Sequence, residues 1–147
     1  MIQRIQTVFL FLAALAFIAL FQFPFAVSDV ASKGFLQDKV FNIFDNPILI
    51  ALAGLGGLIA LIAIFLFKNR PLQVRLTYLT IITGVLLIVA AVVLFLNEGN
   101  SQQIIEKGQI SDSIGLYMPV LGLIFGFLAA RFIKKDEKIV RSADRLR

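Results

Sequence analysis

The chain has 147 residues, 59% of them hydrophobic and 16% charged, with 14 Lys and Arg against nine Asp and Glu and a formal net charge of +5. A water-soluble domain needs more polar sequence than this to cover its surface, so the composition places the chain in the membrane class. It has no Cys and no His, which excludes disulfides, thiolate nucleophiles, imidazole acid–base catalysis and the usual zinc and haem sites, and no cofactor is implied.

In chain order, the first uncharged run is "TVFLFLAALAFIALFQFPFAV", between Arg4 and Asp29. It predicts a membrane span over about residues 7–27. A cleaved signal peptide is the rival reading. The run is longer than a signal core of about 7 to 15 residues, and Phe23, Pro24 and Phe25 are a poor approach to a cleavage site. The loop that follows contains "GFLQDKVFNIF", where Leu36, Val40, Ile43 and Phe44 recur with helical period. That spacing predicts a short amphipathic helix lying on the bilayer or capping the bundle.

Asn46 followed by Pro47 is a helix-start signal, and "NPILIALAGLGGLIALIAIFLF" predicts a second span over about residues 47–67. The loop "KNRPLQVR" leads to a third span at about 76–97. The polar segment "EGNSQQIIEKGQISDS" reads as a connector, and a fourth span follows at about 114–132, with Pro119 expected to kink it. Each run is long enough to cross about 30 Å of hydrocarbon at about 1.5 Å per residue.

Orientation follows from the cations. Arg4, Lys68, Arg70, Arg75 and the seven Lys and Arg from Arg131 to Arg147 lie on one side, whereas only Lys33, Lys39 and Lys107 lie on the other. The positive-inside rule puts both termini in the cytoplasm. The chain thus divides into a four-span membrane domain, 1–133, and a charged cytoplasmic tail, 134–147. On a helix the tail aligns Phe132, Ile139 and Leu146, with Ile133, Val140 and Ala143 beside them, opposite Lys134, Glu137, Lys138, Arg141 and Arg145. Asp136 and Glu137, flanked by lysines, read as part of a solvated face.

Small residues stand at helix-contact spacing within the spans: Ala53 and Gly57, Gly56 and Ala60, Thr80 and Gly84, and Gly122 and Gly126 continued by Ala130. They favour close packing within one bundle over a seam between two copies. Apart from Arg131 at the very end of the fourth, no Asp, Glu, Lys or Arg lies inside a span, which argues against ion-coupled transport. Gln22, Thr77, Thr80 and Thr83 are the notable polar side chains there, and threonines in a helix bond their own backbone. Ser111 or Ser113 with Lys107 is the sole candidate nucleophile–base arrangement, with no pocket implied around it.

The segments "MIQRIQTVFLFLAA", "LFKNRPLQVRL" and "IKKDEKIVRSADRLR" resemble those of a family of small four-span bacterial inner-membrane proteins, of Bacteroidota type, whose function is unknown. The resemblance implies a plasma-membrane protein with both termini inside, and no activity. The expectation is therefore an all-α integral membrane bundle of four transmembrane helices with a cytoplasmic amphipathic C-terminal helix. It is expected to be a non-enzymatic accessory or scaffold subunit in the lipid bilayer. Contacts with a protein partner, a second copy or anionic lipid are expected at Arg4, Lys68, Arg70, Arg75, Lys134, Lys135, Lys138, Arg141 and Arg145, with nucleic acid disfavoured. A carrier or channel for a small or lipidic molecule, using the apolar bundle interior, is the alternative; an internal cavity lined by Gln22 and the span-three threonines would favour it.

Overall fold

The computed structural model describes residues 3–28, 38–102 and 110–145, without the side chains at 3, 4, 98–102, 110, 141 and 143–145. Four helices form the body: α1 (Gln3–Ala19), α2 (Pro47–Phe65), α3 (Arg70–Gln102) and α4 (Met118–Arg145). They pack as a ring in chain order, α1 against α2 and α4, and α3 against α2 and α4. Three short strands, β1 (Ala26–Ser28), β2 (Val40–Phe41) and β3 (Ile110–Asp112), make an antiparallel sheet in the order β2-β1-β3 at one end. The other end, the tail end, carries the α2–α3 turn and the end of α4.

The packing is inverted relative to a water-soluble domain. Many large apolar side chains point outward, among them Leu15 and Ile18 on α1, Leu58 and Ile62 on α2, Val85, Leu86 and Val89 on α3, and Ile124 and Phe127 on α4. The interior holds Ala13, Ala14, Ala53, Ala60, Ala63 and Ala129 with the polar Gln73, Thr77 and Thr80, beside a smaller set of large apolar side chains that includes Leu10, Phe17, Leu49 and Leu87. Such a surface suits hydrocarbon and would aggregate in water. Helices at Pro47–Phe65, Arg70–Asn97 and Ile114–Val140 are long and apolar enough to cross a membrane, while the apolar helix Ile5–Ala19 is shorter.

One ring organises the interior. Phe17 of α1, 1% exposed, lies against a glycine on each of the other three helices. A Cβ at Gly56 of α2 would sit 2.9 Å from its ring, one at Gly84 of α3 3.1 Å away, and one at Gly122 of α4 3.3 Å away. Gly57 packs against the Cβ of Phe17 and the side chain of Ile18, and Gly126 against Ile81. Ala53 is buried beside them. All nine positions singled out for helix contact, Ala53, Gly56, Gly57, Ala60, Thr80, Gly84, Gly122, Gly126 and Ala130, are buried in this structure.

The first apolar run departs from the expected span. Its helix stops at Ala19 because the ring of Pro24 would collide with the carbonyl of Leu20 in a continued helix, and Pro24 has no N–H to donate to it. The backbone groups freed here must still be paired in an apolar setting. They are: Phe25 N–H donates to the Phe41 carbonyl at 2.8 Å, Ser28 N–H to Lys39 at 2.8 Å, and Ser113 N–H to the Phe25 carbonyl at 3.1 Å. Gly115 N–H donates to the carbonyl of Pro24 at 3.0 Å; a Cβ at Gly115 would collide with that carbonyl and with the one of Phe23.

The amphipathic helix expected over residues 34–44 is not present in its described part. Lys39 has φ 66°, a left-handed conformation that an α-helix does not admit, and Val40 and Phe41 pair with β1. Leu36 lies outside the described residues. A 3-10 turn, Ile43–Asp45, follows, with Asn42 and Asp45 forming a reciprocal cap. Burial raises the pKa of Asp45; the Asn42 N–H, 2.6 Å from its carboxylate, opposes this, and nearby Asp38 adds to it. The polar connector also proves to be more than a link. Its start extends α3 to Gln102, and its end forms β3. Pro119 makes no kink because it is the second residue of α4, where no intrahelical donor is required. No break separates the fourth span from the tail; α4 runs from Met118 to Arg145.

The Phe17 arrangement predicts a specific rescue. Gly56→Ala should destabilise the protein in detergent by about 1–3 kcal/mol, the usual range for overpacking, and Phe17→Leu on that background should restore part of the loss. Thermal unfolding checks this; equal or additive losses in the double variant would show that the ring and the glycine do not meet.

Candidate functional site

At the tail end the helices are fastened by polar and aromatic contacts. Asn69 opens α3, its side chain accepting the Leu72 N–H at 3.4 Å. That start places Arg70 on the first turn, where its guanidinium Nη2 lies 3.2 Å from Oδ2 of Asp136 on α4. Asp136 is 8% exposed, so the solvated face read from the sequence is incorrect for this residue. It continues the buried stripe Ala129 and Ile133 one turn onward. The same Oδ2 has no hydrogen bond of good geometry, so the pair is held by charge at close range rather than by a directed bond.

Gln73, one turn after Arg70 and 1% exposed, donates through Nε2 to the carbonyl of Ala63 at 3.0 Å. Ala63 lies in the last turn of α2, whose carbonyls have no helical donor of their own. Thr77 in turn donates to the carbonyl of Gln73 at 2.8 Å. On the other side of the bundle, Gln6 of α1 donates to the carbonyl of Phe132 on α4 over 3.5 Å. The ring of Phe132 stacks on Phe9 with centroids 5.4 Å apart. The Nζ of Lys134 lies 4.7 Å over the ring of Tyr78, within cation–π range. The α2–α3 turn and the tail are therefore parts of one fastened end.

What remains exposed there is basic and partly apolar. Lys68, Arg75, Lys134, Lys135 and Lys138 are exposed, as are Ile139 at 46% and Val140 at 40%. Arg70 belongs to the internal clamp instead. Arg4, Arg141 and Arg145 stand on described helix backbone, but their side chains lie outside the description. The expected row of Phe132, Ile139 and Leu146 is divided: Phe132 is half-buried, Ile139 projects beyond the bundle, and Leu146 lies outside the described residues. Among the described residues no three Asp, Glu, Cys or His side chains are grouped to hold a metal ion.

Gln73 and Asp136 were missed by the sequence reading. The available signal was spacing: Gln73, Thr77, Thr80, Gly84 and Leu87 follow one another at helical intervals of three or four and form the buried stripe of α3. A polar residue continuing such a stripe is a candidate for an internal bond.

Fold and surface together define a helical bundle with three helices long and apolar enough to cross a membrane, fastened by side chains at one end and closed by a small sheet at the other. Residues 2–146 match the family described as Domain of unknown function (DUF4293), and the chain belongs to that family. No curated protein and no solved structure is significantly similar to it.

The clamp predicts a coupled pair. Asp136→Ala leaves the Arg70 cation without its partner and should cost about 1–3 kcal/mol in detergent unfolding. The double variant Arg70→Met, Asp136→Leu should cost less than the sum of the two single changes. Additive losses would mean that the two side chains act independently.

Proposed function

We propose that the protein is a non-enzymatic multi-pass scaffold of a bacterial plasma membrane, with both termini in the cytoplasm and a protein partner docked on its tail end. The carrying observation is the Arg70–Asp136 clamp, which joins the α2–α3 turn to α4 and leaves Lys68, Arg75, Lys135, Lys138, Ile139 and Val140 exposed around one fastened end. Exposed cations beside two aliphatic side chains suit an acidic, amphipathic surface better than bilayer contact alone. The excess of cations on this side supports the cytoplasmic assignment. In this reading α1 crosses the bilayer together with the turns and strand that follow it.

The carrier alternative has less support. Phe17 fills the bundle interior against three glycines. Thr77, Thr80 and Thr83 donate to carbonyls of their own helix, and Gln22 is exposed at the sheet end, away from them.

Protease added to inverted membrane vesicles tests the scaffold. In vesicles retaining their peripheral proteins the tail should be protected, and stripping those proteins should expose it. Ile139→Ser with Val140→Ser should abolish protection, because apolar anchors carry a docked helix. Lys134→Gln, Lys135→Gln and Lys138→Gln should weaken it mainly at low salt. Equally fast cleavage in every sample would contradict the proposal.

A further inference from the structure

At the sheet end lies a recess of about 210 Å³ between β1, β2 and the last turns of the apolar part of α3. Its floor is aromatic and buried: Phe25 and Phe41 are 2% and 3% exposed, and the rings of Phe25, Phe41 and Phe95 follow one another with centroids 5.4 and 5.8 Å apart. Its lips are aliphatic and exposed, formed by Val92, Leu96 and Leu116. Asp112 of β3, which is exposed, is the one charged residue of the lining. We propose that this recess holds the aliphatic chain of a membrane lipid whose amine-bearing headgroup is placed at Asp112.

The depth of the recess supports this occupant. Counting from Arg75 at the opposite boundary, Val92 and Leu96 lie about 25 to 32 Å along α3 at about 1.5 Å per residue, which is the far edge of a hydrocarbon layer of about 30 Å. The lips therefore open onto acyl chains, while Asp112 stands at headgroup level. Water is a poor occupant, because it needs two to four polar partners and the lining supplies one polar side chain. A chain entering between Val92 and Leu116 gains dispersion contact with the aromatic floor, the kind of contact that drives association inside a bilayer. The charge of Asp112 favours a protonated amine, as in an ethanolamine headgroup, and disfavours an anionic glycerol headgroup. The site lies at the opposite end of the bundle from the proposed docking face and is independent of it.

The test uses the full chain in vesicles containing a phosphatidylethanolamine probe with a photoactivatable group on one acyl chain, with the adducts mapped by mass spectrometry. Adducts should concentrate on Phe95, Leu96 and Leu116 rather than on the lipid-facing Val85 and Val89. Ala91→Phe, which fills the recess from its α3 wall, should reduce them by about tenfold and leave those at Val85 unchanged. Should Ala91→Phe fail to fold, Leu96→Trp narrows the mouth from the lipid side and carries the same expectation. Asp112→Asn should remove the preference over a probe with the same chain and a glycerol headgroup. Adducts spread evenly along α3 and indifferent to the filling variant would overturn the site, and an unchanged headgroup preference would overturn the role of Asp112.

Discussion

A single aromatic ring sets how closely the four helices approach. Phe17 is too large to share its level of the bundle with ordinary side chains on three neighbours, and Gly56, Gly84 and Gly122 make room for it. Inside a bilayer the outside of a helix is as apolar as its partner, so burying Leu or Ile brings little advantage and contact area decides stability. The sequence follows that rule in part: alanines, glycines and threonines share the interior with Phe17, Leu10, Leu49, Leu87 and Ile133, and many other branched aliphatics face outward. The interior hydroxyls need no partner across the bundle, since Thr77, Thr80 and Thr83 are satisfied within α3.

The two ends of the bundle solve the same problem by different means. Where α1 stops short, the exposed backbone is paired by a three-stranded sheet and by Gly115 against Pro24, so that end is fixed by main-chain bonds. At the tail end Gln73 and Gln6 supply hydrogen bonds from side chains to carbonyls, and the Arg70–Asp136 ion pair adds to them. Side-chain fastening leaves Lys68, Arg75, Lys135, Lys138, Ile139 and Val140 exposed around it. The sheet leaves a recess instead, because its short strands do not cover the outer turns of α3. The proposed docking face and the proposed lipid site fall at opposite ends of this division.

The parts legible in the sequence were those governed by local pattern. The second helix, with Asn46 and Pro47 at its start and a long apolar run behind them, stands at Pro47–Phe65, and the glycine spacings mark interior faces. The continuous α4 also follows from its uninterrupted helical period. Pairings between distant segments were not legible. Nothing within "FPFAV" states that Val27 will lie opposite both Val40 and Ser111, and its hydrophobicity is the same in a helix as in a strand. Asp136 had the composition of a solvated face; only the approach of Arg70 from another helix makes its burial tolerable. Phe17 was one of many aromatic residues in an apolar run, and its importance lies in three glycines that are 39, 67 and 105 positions away.

The claim that the glycine faces meet inside one chain can be measured directly, because the protein has no cysteine of its own. A Cβ at Gly122 would lie 3.7 Å from that of Ala16, within the separation of about 3.5–4.5 Å that a disulfide spans. Oxidation of Ala16→Cys, Gly122→Cys in native membranes should give an intramolecular disulfide, with the chain remaining monomeric on non-reducing electrophoresis. Disulfide-linked dimers, or two thiols that stay free under the same oxidation, would contradict the packing described.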